Sequence, residues 1–361
     1  MFSRIRYPEK MEAEELDAYL AAGWRCMGQA IYISHFMFFP ASGGRHAYST
    51  LPTRLPLDGY AFRKSLRRLW RRNERFFQIE VGAPAVFDPE KERVNKRYAA
   101  LFPSRAIKDA ADMLDNGAGG RAFDTREVKL YHQGRLVAFS FFDLGKDSLY
   151  SKQGIYDPAF RSYSPGFFTM LVEIAYGMEK GVKYYYPGYV VPGYPEFDYK
   201  HRVGELEYYD LPTGGWKTFR ALQPMDVPIN RMRQQLLLLQ AALRQQGIKS
   251  SLLDYRLFDI RFYDNRPFPF LEYPVFLLVS SQSADETCPL AVFDPVQNCF
   301  TLLNGRFFGI AVNHLEFAEQ LLANSSGLCM QPVAAFNILA EGKSLESALS
   351  VLKQFALGKS G

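Results

Sequence analysis

Three runs of alternating, β-branched and aromatic residues follow one another after Phe123: Arg126 to Tyr131, Leu136 to Leu144 and Ser148 to Tyr156. Only His132-Gln-Gly-Arg and Gly145-Lys-Asp separate them, which leaves room for hairpin turns and little else. The chain then passes Asp157-Pro158 and Ser164-Pro165-Gly166. An apolar helix is expected from about Phe167 to Lys180, stopped at Gly181, and a strand opens at Tyr184. A meander of hairpins, then loop, helix and strand, sets the class as α+β, with a mixed sheet flanked by helices.

The flanks add elements of both kinds. Glu12 to Ala22 reads as a helix, Trp24 to Phe39 and Tyr48 to Leu57 as strands around a turn at Ala41-Ser-Gly-Gly, and Phe77 to Phe87 as a strand. Helices are expected at Asp88 to Leu101 and Arg105 to Met113, the second ended by the loop Asn116-Gly-Ala-Gly-Gly. Past the meander, Leu206 to Tyr209 and Trp216 to Phe219 suggest strands, and Ile229 to Gln246 a Leu- and Gln-rich helix. From Ser250 on, strands are expected at Phe270 to Ser280, Leu290 to Phe293 and Phe300 to Leu303. Helices are expected there at Leu315 to Ala323, Pro332 to Leu339 and Leu345 to Phe355.

Hydrophobic residues make up 48% of the 361, enough for a sizeable core and against disorder. The four cysteines form no close pair, which argues against a Cys-x-x-Cys redox motif or a zinc knuckle and for a reduced, cytoplasmic protein without a metal. No apolar signal core opens the chain and no run is long enough to span a membrane. The net charge of +5 decides little by itself; its distribution decides more. Between Tyr60 and Phe76, Phe62, Leu66, Leu69 and Trp70 fall at helical spacing. Arg63, Lys64, Arg67, Arg68, Arg71, Arg72 and Arg75 cover the rest, against the single Glu74. A solvated helix face is one reading of such a run. A polyanionic partner that relieves the repulsion is the other, and an RNA acceptor stem, an acidic protein or a membrane surface would serve.

The stretch Tyr184-Tyr-Tyr-Pro-Gly-Tyr-Val-Val-Pro-Gly-Tyr-Pro-Glu-Phe-Asp-Tyr-Lys200 begins as a buried strand and becomes a glycine-bearing aromatic loop, where α/β proteins place ligand contacts. The order of elements around it is that of the N-acetyltransferase fold, in which a loop and helix N-terminus bind the donor's phosphates. Arg161, Ser164 and Gly166 stand at that place, without the fuller glycine loop of coenzyme A users. An ordinary helix start, with Ser164 as cap and Pro165 in the first turn, is the competing reading.

Ser148-Leu-Tyr, Tyr156-Asp-Pro, Ser164-Pro-Gly, Tyr184-Tyr-Tyr-Pro-Gly-Tyr and Tyr199-Lys occur in one order. In that order they are similar to the C-terminal half of the aminoacyl-tRNA–protein transferases, both the arginyl and the aspartate/glutamate leucyl branches. Leu20-Ala-Ala-Gly-Trp-Arg and Arg63-Lys-Ser-Leu-Arg-Arg-Leu-Trp-Arg-Arg-Asn73 resemble the bacterial branch, so the likeness runs from about Met11 to Tyr209. The resemblance implies transfer of an amino acid from a charged tRNA to the N-terminal amine of a protein or peptide, with aminoacyl-tRNA as co-substrate and no further cofactor. The ester is already activated, so positioning and oxyanion stabilisation matter more than a strong nucleophile. It implies Lys200, Tyr199 and Asp157 as catalytic residues. Tyr156, Arg161, Ser164, Gly166, Gly188, Tyr189 and Glu196 would hold the tRNA 3′ end and substrate, and the seven basic residues the tRNA backbone. A solvated lysine at 200 and plain core packing of Tyr156 and Tyr189 remain the alternatives.

The chain is expected to divide into an N-terminal region over 1–115 with the basic helix at 60–75, and an acetyltransferase-like domain over 116–225, with the resemblance not reaching the part after Ser250. A linking helix over 226–249 and a further α+β unit over 250–361 complete it; the oligomeric state is left open. Two departures stand out. The family's N-terminal cysteine cluster is missing about where Ser34-His-Phe-Met-Phe-Phe-Pro lies, and its Lys-Met is replaced by Glu196-Phe197. A glutamate there reverses the sign of a charge that would read acidic N-termini, so a neutral or basic acceptor is expected. A non-catalytic tRNA- or RNA-binding relative and a coenzyme A-dependent N-acyltransferase are the alternative functions.

Overall fold

The structure is a computed structural model and describes residues 2–39, 43–109, 113–115, 120–263, 268–280, 287–309, 314–323 and 327–356. The N-terminal part comprises β1 (Ser3–Arg6), α1 (Ala13–Ala21), β2 (Arg25–Met27), β3 (Ala30–Ser34), β4 (Phe36–Phe38), β5 (Ala47–Ser49), β6 (Leu51–Pro56), α2 (Lys64–Glu74), β7 (Gln78–Pro84) and α3 (Pro89–Leu101). The meander follows as β8 (Thr125–His132), β9 (Arg135–Leu144) and β10 (Ser148–Tyr156), then α4 (Pro165–Glu179) and β11 (Tyr184–Val190). After β12 (Glu207–Asp210) and β13 (Gly215–Thr218), α5 (Pro228–Gln245) leads into β14 (Ser250–Tyr255), α6 (Ile260–Tyr263), β15 (Val275–Val279), β16 (Cys288–Asp294) and β17 (Cys299–Phe307). The last elements are α7 (His314–Ala323), β18 (Leu328–Cys329), β19 (Val333–Gly342) and α8 (Leu345–Ala356).

The central sheet has the order β13-β12-β6-β11-β10-β9-β8-β7. Its β6 and β7 come from residues ahead of 115, so one sheet runs across that position. β8, β9 and β10 are antiparallel neighbours, whereas β10 and β11 are parallel and pair only where Ser148, Leu149 and Tyr150 face Tyr184, Tyr185 and Tyr186. Beyond Tyr150 a bulge between Ser151 and Gln153 turns β10, and the two strands part. A meander, a crossover helix and a parting parallel pair make this the N-acetyltransferase-like α+β arrangement.

Side-chain alternation decides what covers each face. Ala138 and Phe142 of β9 point to α4, whose Phe168, Leu171 and Ile174 are fully buried among Leu55, Leu149 and Tyr185. Phe139 and Phe141 point the other way, to Val94 and Tyr98 of α3. Tyr150 and Tyr186 meet α1 and the β2–β3 hairpin through Leu16, Leu20, Cys26 and Ile31. α4 ends where Gly181, at φ +73°, takes the left-handed conformation that lets the chain turn into β11.

The C-terminal sheet, β18-β14-β15-β16-β17-β19, packs on α5 through Met232, Leu236, Leu239 and Leu243, all fully buried. Each such side chain contributes about 1.5–3 kcal/mol. Phe2, Phe36 and Ala47 belong to the same core, so the N-terminal region is built into this unit as well. No helix among the described residues is long and apolar enough to cross a membrane.

Several expectations need correction. Trp24 to Phe39 is three short strands, because Gly28 turns the chain into a hairpin and His35 breaks the run again. Arg105 to Asp109 is not helical: a turn ends at Arg105, with hydrogen bonds from the Arg105 and Ala106 N–H groups to the Phe102 carbonyl, and irregular chain follows, while residues 110–112 lie outside those described. Val333 onward is strand β19, not a helix, because pairing along β17 overrides the helix preference of its Ala and Leu. Residues 41, 42 and 116–119 of the expected turns lie outside the described residues. Strands β1 and β14 had no reading.

Candidate active site

The parting of β10 and β11 leaves a cavity of about 210 Å³. Tyr150, Ser151, Lys152 and Gln153 line it from β10, and Pro187, Gly188 and Tyr189 from β11. Cys26, Met27, Gly28 and Tyr32 close it from the β2–β3 hairpin. Lys200 reaches it from the 3-10 turn Pro195–Arg202, which folds back against the end of β11.

Gly188 is required here. It sits at φ +93°, and a Cβ on it would lie 3.3 Å from Lys200 Nζ and 3.7 Å from Tyr150 Oη. The Lys200 ammonium, only 7% exposed, donates to the Tyr189 carbonyl at 2.8 Å and lies 5.1 Å from the Tyr189 ring. Burial, with the nearby Arg25 charge, pushes it down to about 7. Arg25 is itself buried, between Tyr32 at 4.7 Å and Tyr189 at 4.5 Å. One of its nitrogens donates to the Ser34 carbonyl at 2.6 Å, while Nε and Nη1 have no hydrogen-bond partner among the described residues. Stacking between two rings offsets part of that desolvation.

Lys152 is the second lysine of the cavity. It donates to the Gly28 carbonyl at 2.6 Å and to Asp143 Oδ1 at 3.1 Å. Asp143 Oδ2 lies 3.0 Å from the same ammonium but off its hydrogen-bonding directions. Burial, then the Asp143 charge, raise the Cys26 thiol well above the usual range, which disfavours the thiolate. Lys152 and Lys200 on its wall, with the Arg25 guanidinium stacked on Tyr189 behind it, outweigh the one aspartate and suit the cavity to an anion or to an oxygen that gains charge during reaction.

The structure thus brings together Lys200, Gly188 and Tyr189 of the expected site. Tyr199 lies beside Lys200 but is 44% exposed. Asp157 does not line the cavity. Its buried carboxylate caps the turn Pro158–Tyr163 through the Ala159 amide and pairs with Arg97 and Arg135, a structural set of partners. Tyr156 packs against Tyr98, with ring centroids 5.2 Å apart, and its ring crowds Gly166. Ser164, at φ +52°, makes no side-chain cap bond; its carbonyl instead accepts from the Phe168 amide at 2.9 Å. Arg161 is exposed. Glu196 is on the surface, paired with Arg105 and accepting from Tyr194 Oη at 3.2 Å. Arg25 and Lys152 had no reading as site residues; a charged residue inside an apolar strand is the signal that would have found them.

The basic helix α2 docks by Leu66, Leu69 and Trp70, with Trp70 against Phe168 of α4. All seven of its cations are exposed, and none pairs with a carboxylate among the described residues. Arg63 and Arg67 donate to backbone carbonyls, Arg72 to the Ser162 carbonyl and to Asn73 Oδ1, and Glu74 is taken by the Trp70 indole at 2.8 Å.

A family model described as "Arginine-tRNA-protein transferase, C terminus" matches residues 85–210, which hold the meander, α4, β11 and Lys200. The aspartate/glutamate leucyltransferase of Leptospira interrogans is 29% identical over 206 residues, 55% of this chain and 76% of that protein. The enzyme of the same name from Phenylobacterium zucineum is 31% identical over 185 residues, 48% of this chain and 70% of that protein. A GCN5-related N-acetyltransferase from Kribbella flavida aligns with 40% of this chain and 49% of its own at 13% identity and a TM-score of 0.26, too low to add to the strand order. The leucyltransferase matches, with the family model lying over the very strands that part around Lys200, place the chain in the aminoacyl-tRNA–protein transferase family, as an aminoacyltransferase.

Proposed function

We propose that this chain moves an amino acid from the 3′ ester of a charged tRNA to the N-terminal amine of a polypeptide, with the ester held where β10 and β11 part. The observation that carries the reading is Lys200, desolvated and anchored beside Gly188 in the cavity where the two strands part. Attack by the amine drives charge onto the ester carbonyl oxygen. A lysine lowered to about 7 holds its proton about half the time at neutral pH, and a developing oxyanion pulls that equilibrium toward the charged donor. The exposed, unpaired cations of α2 supply the phosphate contacts of the acceptor stem.

The relatives are named for aspartate and glutamate. In this chain the surface carboxylate of Glu196 supports a neutral or basic acceptor residue instead. The test is a set of tRNAs charged with each labelled amino acid, incubated with peptides that carry each N-terminal residue. One productive pair is expected; no transfer in any combination would end the reading.

A further inference from the structure

Under the cavity, on the α4 side of the sheet, lies a group that the transfer scheme has not used. Glu173 is fully buried near the end of the largely apolar run Phe167 to Ile174, and no cation among the described residues pairs with it. Hydroxyls ring its carboxyl instead. Ser140 Oγ donates at 2.6 Å and Tyr185 Oη at 2.9 Å, and the Ser151 hydroxyl lies near enough to favour its charged form. Ser151 lines the cavity and sits at the bulge where β10 turns away from β11. A leucine at 173 would pack the same helix face without desolvating a carboxyl, so packing alone does not account for this residue.

We propose that Glu173 is the proton-accepting residue behind the transfer site, acting on the acceptor's amine through the Ser151 hydroxyl. The proposal rests on the aminoacyl-transfer reading of the cavity. In that reaction the C–N bond forms, the bond from the acyl carbon to the ribose 3′ oxygen breaks, the nitrogen loses a proton and the 3′ oxygen gains one. Ser151 receives the proton from nitrogen as it passes its own to the Glu173 carboxylate. The reverse transfer delivers it to the departing 3′ oxygen, so no other reactant is required. Hydroxyls suit this relay because each both donates and accepts. Burial raises the Glu173 carboxyl to about 7, so it takes and releases a proton at neutral pH. The groups that face it are Ser140 from β9, Ser151 from β10, Tyr185 from β11 and, within reach of its charge, Tyr199.

The experiment compares two acceptors on the full chain, a peptide with an ordinary N-terminal amine and the same peptide bearing an aminooxyacetyl group. The aminooxy nitrogen is uncharged at neutral pH and gives up its proton readily after attack, so it bypasses a proton acceptor. Glu173→Gln should lower kcat for the amine peptide by about 100-fold with KM unchanged, and for the aminooxy peptide by only a few-fold. Equal losses with both acceptors, or no loss with either, would overturn the proposal. Ser151→Ala, at the edge of the cluster, should show the same split and decides the matter if Glu173→Gln does not fold. If the unsubstituted protein transfers to neither peptide, it is the aminoacyl-transfer reading that fails.

Discussion

The two sheets of this molecule treat charge in opposite ways. The C-terminal sheet is packed by Phe276, Leu277, Leu278, Leu290 and Val292 against α5, and beyond Ser250 only Asp254 and Thr301 are buried polar residues among those described. The central sheet holds Lys91, Glu127, Asp143, Glu173 and Lys200 inside, with Arg25 sealed beneath the N-terminal hairpin. Interior charge is destabilising unless paired, and Lys200 and Arg25 have no carboxylate partner among the described residues. A fold that tolerates such groups in one sheet and nearly excludes them from the other places its candidate site in the first and an apolar core in the second.

Replacing Lys200 with Met tests that contrast most severely. It keeps the length of the side chain and removes the donor, so kcat should fall by about 100- to 1000-fold. Stability should move the other way. Lys200 is lowered to about 7 in the folded protein against about 10.4 in the unfolded chain, so the unfolded state binds more protons between those values. The unsubstituted protein therefore gains stability as pH rises through that window. The Met variant should melt at a higher temperature at pH 7, by a margin that shrinks toward pH 10. A variant that loses both activity and stability would mean that Lys200 is a packing residue.

The one buried carboxylate of the C-terminal sheet asks the converse question. Asp254 accepts from the Ala47 amide at 2.9 Å, from His46 Nδ1 at 3.2 Å and from Arg233, tying β14 and α5 to the N-terminal hairpin β4–β5. Asp254→Ala leaves Arg233 without its partner and should cost about 3 kcal/mol or more of stability. Where the variant is still folded, kcat should stay within a few-fold of normal. A collapse of transfer as deep as that of the Lys200 variant would show that the C-terminal unit shapes the site and erase the division of labour.

How much of this was readable in the sequence follows from the same contrast. The meander, α4 and β11 were legible because short turns and hydrophobic periodicity fix them locally, and Gly188, Tyr189 and Lys200, placed on that frame, line one cavity. β19 was not legible, since the helix preference of Ala and Leu in its Ala335-Phe-Asn-Ile-Leu-Ala340 run is overridden only by pairing with β17. Arg25, Lys152 and Glu173 were missed because each becomes meaningful only when the parting strands bring it to one cavity or beneath it. Asp157 was misread for the opposite reason: its Tyr-Asp-Pro context is local, and so is its capping role.

A third, milder test concerns α2, where charge is concentrated but solvated. Changing Arg67, Arg68, Arg71 and Arg72 together to Ala should leave the melting temperature nearly unchanged, because none of them pairs with a carboxylate among the described residues. tRNA affinity should fall. The slope of log K against log salt should shrink by about 0.7–0.9 for each phosphate that the helix no longer neutralises. An unchanged slope would move the tRNA to another face of the protein.

The smallest effect is expected at Glu196. It is 44% exposed and bound to Arg105, a pair worth less than about 1 kcal/mol, so Glu196→Lys should barely alter stability. The substitution places a lysine beside Arg105, on the turn that also delivers Lys200. If that turn borders the acceptor, the ratio of kcat/KM for peptides with acidic against basic N-termini should rise by up to about tenfold at low salt. The gain should vanish near 1 M salt, where screening reaches about 3 Å. An unchanged ratio would separate acceptor choice from this turn. A ratio that shifts but ignores salt would mean that the substitution acts on the placement of Lys200 itself, since an exposed charge is screened and a buried geometry is not.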